Sequence, residues 1–142
     1  MQKTCYLGGT ITDDPLTWEW RATSTKYLED RDIKVLNPLR GIDLKSIGDE
    51  GFRATTPMCL STLRDWMDLD QSDIVLCNLT FVPERQSIGT FMELGYAVAN
   101  KIPFIVVSNH ERIIAHPFIT ETAVQVLSDL EEALAAVVFI LS

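Results

Sequence analysis

No stretch of about 18 uninterrupted apolar residues occurs in the 142-residue chain, so no membrane-spanning helix is expected. Positive charge is scarce: 12 Lys and Arg against 20 Asp and Glu leave a net charge of −8 at neutral pH. A nucleic-acid polymer needs a basic stripe to meet its phosphates, so that partner is excluded, whereas a small ligand in a pocket is not. Cysteine is sparse as well, and three thiols without metal-ligand spacing point to no metal site. Cys5 and Cys77 fall in expected strands and Cys59 near a helix start, which reads as core thiols in a reducing cytoplasm. The opening Met1-Gln2-Lys3-Thr4 lacks a signal-peptide layout, and a cytoplasmic location is expected. No Gly-Lys-Ser/Thr follows a glycine run and no GxGxxG is present, which removes the P-loop and the dinucleotide fingerprint. With no repeat, low-complexity tract or linker, residues 1–142 are expected to form a single domain.

What is there is an alternation of strand-like and helix-like runs. Cys5 to Ile11 reads as a strand running into a glycine loop at Gly8 and Gly9, where the backbone can approach a ligand or simply turn. Asp13-Asp14-Pro15 opens a helix carrying Leu16, Trp20, Thr23, Tyr27 and Leu28 at helical spacing. A second strand over 32–37 ends at Pro38. The glycine-containing segment 39–56 is long for a connector, as lids and binding loops often are, and its Arg40 and Arg53 read as surface cations. A helix from Pro57 to about Gln71 takes Met58, Leu60, Leu63, Met67 and Leu69 as its apolar face, with Asp65, Asp68 and Asp70 on solvated faces. Spacing alone selects none of the three acids. Strands over 73–79 and 102–107 bracket a helix over 87–100. A polar loop from Asn109 to Pro117 holds His110 and His116, a fifth strand covers 123–127, and Ser128 to Glu131 forms a capping box for a last helix. Such alternation gives an α/β fold: a flavodoxin-like, doubly wound, five-stranded parallel sheet of order 2-1-3-4-5 with helices on both faces.

In that order the ends of strands 1 and 3 flank the switch point, where open α/β sheets bind ligands. The helix following strand 3 begins Ser87-Ile88-Gly89-Thr90-Phe91-Met92-Glu93-Leu94-Gly95-Tyr96-Ala97. Glu93 lies in its first turns, between Gly89 and Gly95, which leave room for a ligand or for close packing. An acid there also complements the helix dipole without any chemistry.

Three segments together resemble the nucleoside 2-deoxyribosyltransferase family and its relatives that hydrolyse nucleoside 5′-monophosphates. They are Tyr6-Leu7-Gly8-Gly9-Thr10-Ile11, Asp65 eight residues before Asp73, and the Ser87 to Ala97 stretch. The resemblance extends to Lys101-Ile102-Pro103 and to His116-Pro117-Phe118-Ile119, and so covers nearly the whole chain. It implies that Glu93 is a nucleophile for C1′ of the sugar, that Tyr6 orients it, and that Asp65 lies near the departing base. It further implies substrate contacts from Gly8, Gly9, Thr10, Ser87, Gly89 and Thr90. Many transferases of the family have an aspartate for the sugar 5′-hydroxyl where this chain has Ser87, a choice shared with the hydrolases. The hydrolases have an arginine just after the glycine loop, where this chain has Thr12 and Asp13. The implied substrates are a nucleoside or nucleotide and a free nucleobase, with no metal or organic cofactor. The implied assembly is a homo-oligomer whose neighbouring chain completes the crevice, with His116 in the contributing position. Transfer of 2-deoxyribose between bases is therefore the expected activity. Hydrolysis of a nucleoside 5′-monophosphate on the same scaffold and silent nucleotide binding are the alternatives.

Overall fold

The computed structural model describes residues 1–12, 14–44, 58–81 and 88–142, apart from the side chains of 58 and 59. Expectations for Asp13, Gly48, Gly51, Arg53, Pro57, Ser87 and the side chains of Met58 and Cys59 lie outside the described residues. Five parallel strands form one sheet in the order β2-β1-β3-β4-β5. They are β1 (Lys3–Gly9), β2 (Ile33–Leu36), β3 (Ile74–Asn78), β4 (Phe104–Val107) and β5 (Gln125–Leu127). The helices among the described residues are α1 (Leu16–Glu29), α2 (Met58–Asp70), α3 (Ile88–Ala99), α4 (Glu111–Ile114), α5 (Pro117–Thr120) and α6 (Leu130–Leu141). The flavodoxin-like order expected from the alternation of elements is the one observed. None of these helices is long and apolar enough to cross a membrane.

Successive side chains of a strand point to opposite faces, and this alternation splits the core in two. Cys5, Leu7, Ile74, Leu76, Ile105 and Val107 pack with Trp20 and Leu28 of α1 and with Ala133, Leu134 and Val137 of α6. Tyr6, Val75, Cys77, Phe104 and Val106 pack on the other face with Leu69 of α2, Leu94 and Ala97 of α3, and Ile119 of α5. Every residue of β3 is buried, as a central parallel strand covered on both sides requires. Cys5 and Cys77 are free, buried thiols.

Four local expectations need correction. In α1 the buried face is Thr17, Trp20, Arg21, Ser24 and Leu28, while Leu16 and Thr23 point outward. Trp20, Leu28 and the half-buried Tyr27 do pack on the core, but polar Thr17, Arg21 and Ser24 take the inward positions between them that the apolar spacing did not mark. In α2 the apolar side chains Leu60, Leu63 and Met67 are exposed, whereas Asp68 and Leu69 are buried and Arg64, Asp65 and Trp66 half-buried. The 109–117 segment is not a plain loop, because it contains α4 and runs directly into α5. The last helix is capped by Asp129, whose carboxylate accepts from the Glu131 amide, so the cap lies one residue beyond Ser128.

Candidate active site

Strand alternation sends Tyr6 and Gly8 to the face covered by α2 and α3, one behind the other at the carboxyl end of β1. Parallel pairing sets Tyr6 against Val75 and Gly8 against Cys77, so β3 and its following helix are directly alongside. Glu93 comes in the second turn of α3, one residue before the buried Leu94 that anchors this helix to the sheet. The Tyr6 hydroxyl donates to Glu93 Oε1 at 3.0 Å, joining residues 87 positions apart. A Cβ at Gly8 would sit 3.4 Å from Glu93 Oε2 and 3.6 Å from the Tyr6 ring. The missing side chain therefore keeps one face of the second carboxylate oxygen open. Gly9 answers a different need. Its φ is +139°, and a Cβ there would lie 2.4 Å from the Asn78 carbonyl oxygen, so only glycine lets β1 end against β3.

Position in the structure separates the three aspartates that spacing could not. Asp68 is buried in a two-pronged ion pair with Arg40, whose Nη2 donates to Oδ1 at 2.8 Å. Arg40 is thus tied inward and is no free surface cation. Asp70 accepts from the Tyr96 hydroxyl at the surface, where Tyr96 also packs on Trp66. Asp65 is half-buried, and its Oδ1 is buried without a partner among the described residues. A desolvated carboxylate oxygen with nothing to accept from favours its protonated form.

The electrostatics follow from burial. Burial lifts the Glu93 carboxyl to about 7, opposed by the Tyr6 hydrogen bond, reinforced by the Asp65 charge and opposed again by Arg21. Asp65 is raised to about 6, mainly by burial, with Arg64 pulling it down and Asp68 pushing it up. The Tyr6 hydroxyl is pushed far above its ordinary value by burial and by the Glu93 and Asp65 charges, so it stays protonated as a donor. Two carboxyl groups titrating near neutrality on facing elements suit acid–base and nucleophilic work.

The other expected site residues separate by position. Thr10 is buried and donates to the Phe81 carbonyl at 3.2 Å, a structural tie that closes the glycine loop. Thr90 is buried in the first turn of α3. Gly89 and Gly95 have open space where a side chain would be, so close packing is not their purpose. His116 is exposed at the start of α5, where its Nδ1 accepts from the Phe118 amide at 3.3 Å and its ring stacks on Phe118. Within one chain it is not joined to Tyr6, Asp65 or Glu93. Sequence reasoning missed Arg21, which is 1% exposed and donates to the Gly9 carbonyl at 2.9 Å. A groove of about 440 Å³ opens between β2 and α2, lined by Leu36, Leu60, Leu63 and Met67 among others. Its two arginines are already engaged, Arg40 by Asp68 and Arg64 by the Arg40 and Pro38 carbonyls, and Lys34 is its remaining cation, whereas a hydroxyl and a carboxylate converge at Tyr6 and Glu93.

Comparison with known proteins bears on this geometry. Residues 5–132 match the family model described as nucleoside 2-deoxyribosyltransferase. Comparison with curated proteins gives no significant match. Among solved structures the chain is similar to a 2-deoxyribosyltransferase from Bacillus psychrosaccharolyticus, at 18% identity and a TM-score of 0.63, covering 91% of this chain and 88% of that one. It is similar to a CMP N-glycosidase from Clostridium botulinum at 15% identity, TM-score 0.60, with 95% and 98% covered. It is also similar to a molybdenum cofactor binding protein from Rippkaea orientalis at 15% identity, TM-score 0.62, with 100% and 99% covered. At such identities these three establish the shared fold, and one fold hosts transfer, hydrolysis and binding alike.

Proposed function

Since the chain belongs to the nucleoside 2-deoxyribosyltransferase family, we propose that it moves 2-deoxyribose between nucleobases by a retaining double displacement on Glu93. The observation that carries this reading is the Tyr6–Glu93 hydrogen bond beside Gly8, which fixes one carboxylate oxygen while the other lies where a Gly8 side chain would otherwise stand. Glu93 Oε2 attacks C1′ as the C1′–N bond breaks, and the bonding pair leaves with the base. The carboxylate stabilises the oxocarbenium character that develops at C1′ and splits one hard displacement into two easier ones. Asp65 gives the departing base its proton. A second base then attacks C1′ from the same face, returns its proton to Asp65 and frees Glu93, with configuration retained. Water in place of the second base gives hydrolysis.

The charge around the site favours a nucleoside over a 5′-monophosphate. Among the described residues, Arg21 is committed to backbone carbonyls, Arg40 to Asp68 and Arg64 to carbonyls, while Glu93 and Asp65 are both acidic. Among the described residues, a phosphate brought to Glu93 and Asp65 would meet carboxylates. The reading includes a homo-oligomer in which His116 of one chain reaches toward Ser87 of the next. Exposed Leu60, Leu63 and Met67, which line the open groove between β2 and α2, supply apolar surface for a second copy.

The test is incubation with deoxynucleosides, deoxynucleoside monophosphates and a second free base, with products resolved by chromatography. Exchange of bases with no net loss of nucleoside is expected. A 2-fluoro-2-deoxyribosyl nucleoside should leave its sugar on the peptide containing Glu93, read by mass spectrometry. Sugar found on another peptide, or full turnover by Glu93→Ala, refutes the mechanism. A fully active monomer in sedimentation refutes the shared site.

A further inference from the structure

Arg21 is the largest fully buried side chain among the described residues. It rises from α1 on the face of the sheet opposite Glu93 and reaches the end of β1 from beneath. Its Nη2 donates to the Gly9 carbonyl at 2.9 Å, and its Nη1 donates to the Thr17 carbonyl at 2.7 Å and the Thr10 carbonyl at 3.4 Å. The guanidinium lies 4.6 Å from the Trp20 ring centre, and its Nε is buried without a partner. Among the described residues no carboxylate forms an ion pair with it. An arginine taken out of water without a carboxylate costs several kcal/mol, and a methionine of similar length would fill the space at far lower cost. Packing alone gives no reason for a cation here.

The residues it grips supply one. Gly9 and Thr10 continue directly from Gly8, the residue whose missing side chain faces Glu93 Oε2. We propose that Arg21 is a positioning residue for the reaction, clamping the glycine end of β1 against Glu93 and serving as the buried counter-charge that lets Glu93 ionise. This rests on Glu93 being the nucleophile.

The electrostatic balance agrees. Burial draws the guanidinium down to about 10, and the groups that draw it back up are Tyr6, Cys77, Glu93 and Asp65. Reciprocally, Arg21 opposes the burial of both Glu93 and Asp65, though it is the weakest of the influences acting on each. The ionisable groups whose charges bear on Glu93 are Tyr6 of β1, Cys77 of β3 and Asp65 of α2 on its own side of the sheet, and Arg21 of α1 from the other side. Tyr6 and Cys77 remain protonated at neutral pH because burial raises both, so Arg21 is the positive member of the group.

The experiment follows the Glu93 carboxyl by carbon NMR in the full chain between pH 5 and 9, with the resonance assigned by its loss in Glu93→Gln. In Arg21→Met the midpoint should rise by about half a unit to one unit, as loss of a nearby opposite charge does. At pH 6.5, kcat/KM should then fall about three- to eightfold, and the deficit relative to the wild type should close toward pH 9. Arg21→Lys keeps the charge and loses the fork, so its midpoint should stay near that of the wild type while turnover falls at every pH. Arg21→Gln repeats the neutral arm should Arg21→Met fail to fold. An unmoved midpoint in the neutral variants, or equal shifts in the lysine and neutral variants, overturns the inference. The two readings fail separately: an active Glu93→Gln sinks the functional assignment, whereas an inactive Glu93→Gln with an unmoved midpoint sinks only the role of Arg21.

Discussion

Replacing Glu93 by glutamine should make the protein more stable above neutral pH while abolishing turnover. In the unfolded chain the carboxyl titrates near 4.5, and burial raises it to about 7 in the folded protein. Between those values the folded state holds a proton that the unfolded state has lost, so stability falls as pH rises through this window. Below the unfolded value the penalty is absent, and above the folded value it is complete. With 1.36 kcal/mol per unit, the penalty is about 1.4 kcal/mol at pH 5.5 and about 3.3 kcal/mol at pH 8. The amide of Glu93→Gln carries no charge and still accepts from the Tyr6 hydroxyl, so the variant escapes this slope. Its advantage over the wild type should therefore grow by about 2 kcal/mol between pH 5.5 and 8, whatever constant offset the amide introduces. For a domain of this size that is a relative gain in Tm of roughly 4 to 8 °C. Calorimetry of both proteins in matched buffers at the two pH values measures it. A Tm difference that stays flat across the range would mean that Glu93 is solvated, and the raised affinity for a proton would fall with it.

Tyr6→Phe deletes one hydroxyl and should cost about one to three kcal/mol of barrier in kcat/KM, with the alkaline break of its pH profile displaced upward because Glu93, the group with the higher value, has lost the bond that favours its anion; an unmoved break would separate Tyr6 from the carboxylate. Gly8→Ala should fold normally and lose activity, since its methyl meets Glu93 Oε2 at 3.4 Å, while Gly9→Ala should fail in stability, since its methyl would lie 2.4 Å from a carbonyl. Thermal melts beside kinetic assays distinguish the two, and the reverse pattern would refute the geometry. The pH profile of kcat/KM should be a bell centred near 6.5, where only about one molecule in twenty has Glu93 ionised and Asp65 protonated, given values of about 7 and about 6. Asp65→Asn should remove the descending limb and slow poor leaving bases most; a retained descending limb would take the proton transfer away from Asp65.

The pieces visible in the sequence and those hidden in it differ in one physical respect. Strand order, the Tyr6–Gly8 face and the location of Glu93 follow from local rules, because alternation and connection lengths dictate them. The inward faces of α1 and α2 do not, because both helices bury charge. Periodicity searches for apolar stripes, and here Leu60, Leu63 and Met67 form one that points outward, while Asp68 and Arg21 occupy inward positions that only long-range partners make tolerable. Asp68 closes with Arg40, 28 residues away, and that separation carries no signal in a single sequence. Arg21 has no such ion-pair partner among the described residues, which leaves its charge without a local account. Arg21 of α1 grips the end of β1, where Tyr6 and Gly8 meet Glu93. A charge retained where a hydrocarbon would fit must be offset by what it does for its neighbours, and the neighbours here are two carboxyl groups raised toward neutrality. In the proposed mechanism the same burial that makes Glu93 costly to ionise in the free protein leaves it poorly solvated for a cationic C1′, so the stability lost and the reactivity gained would share one cause.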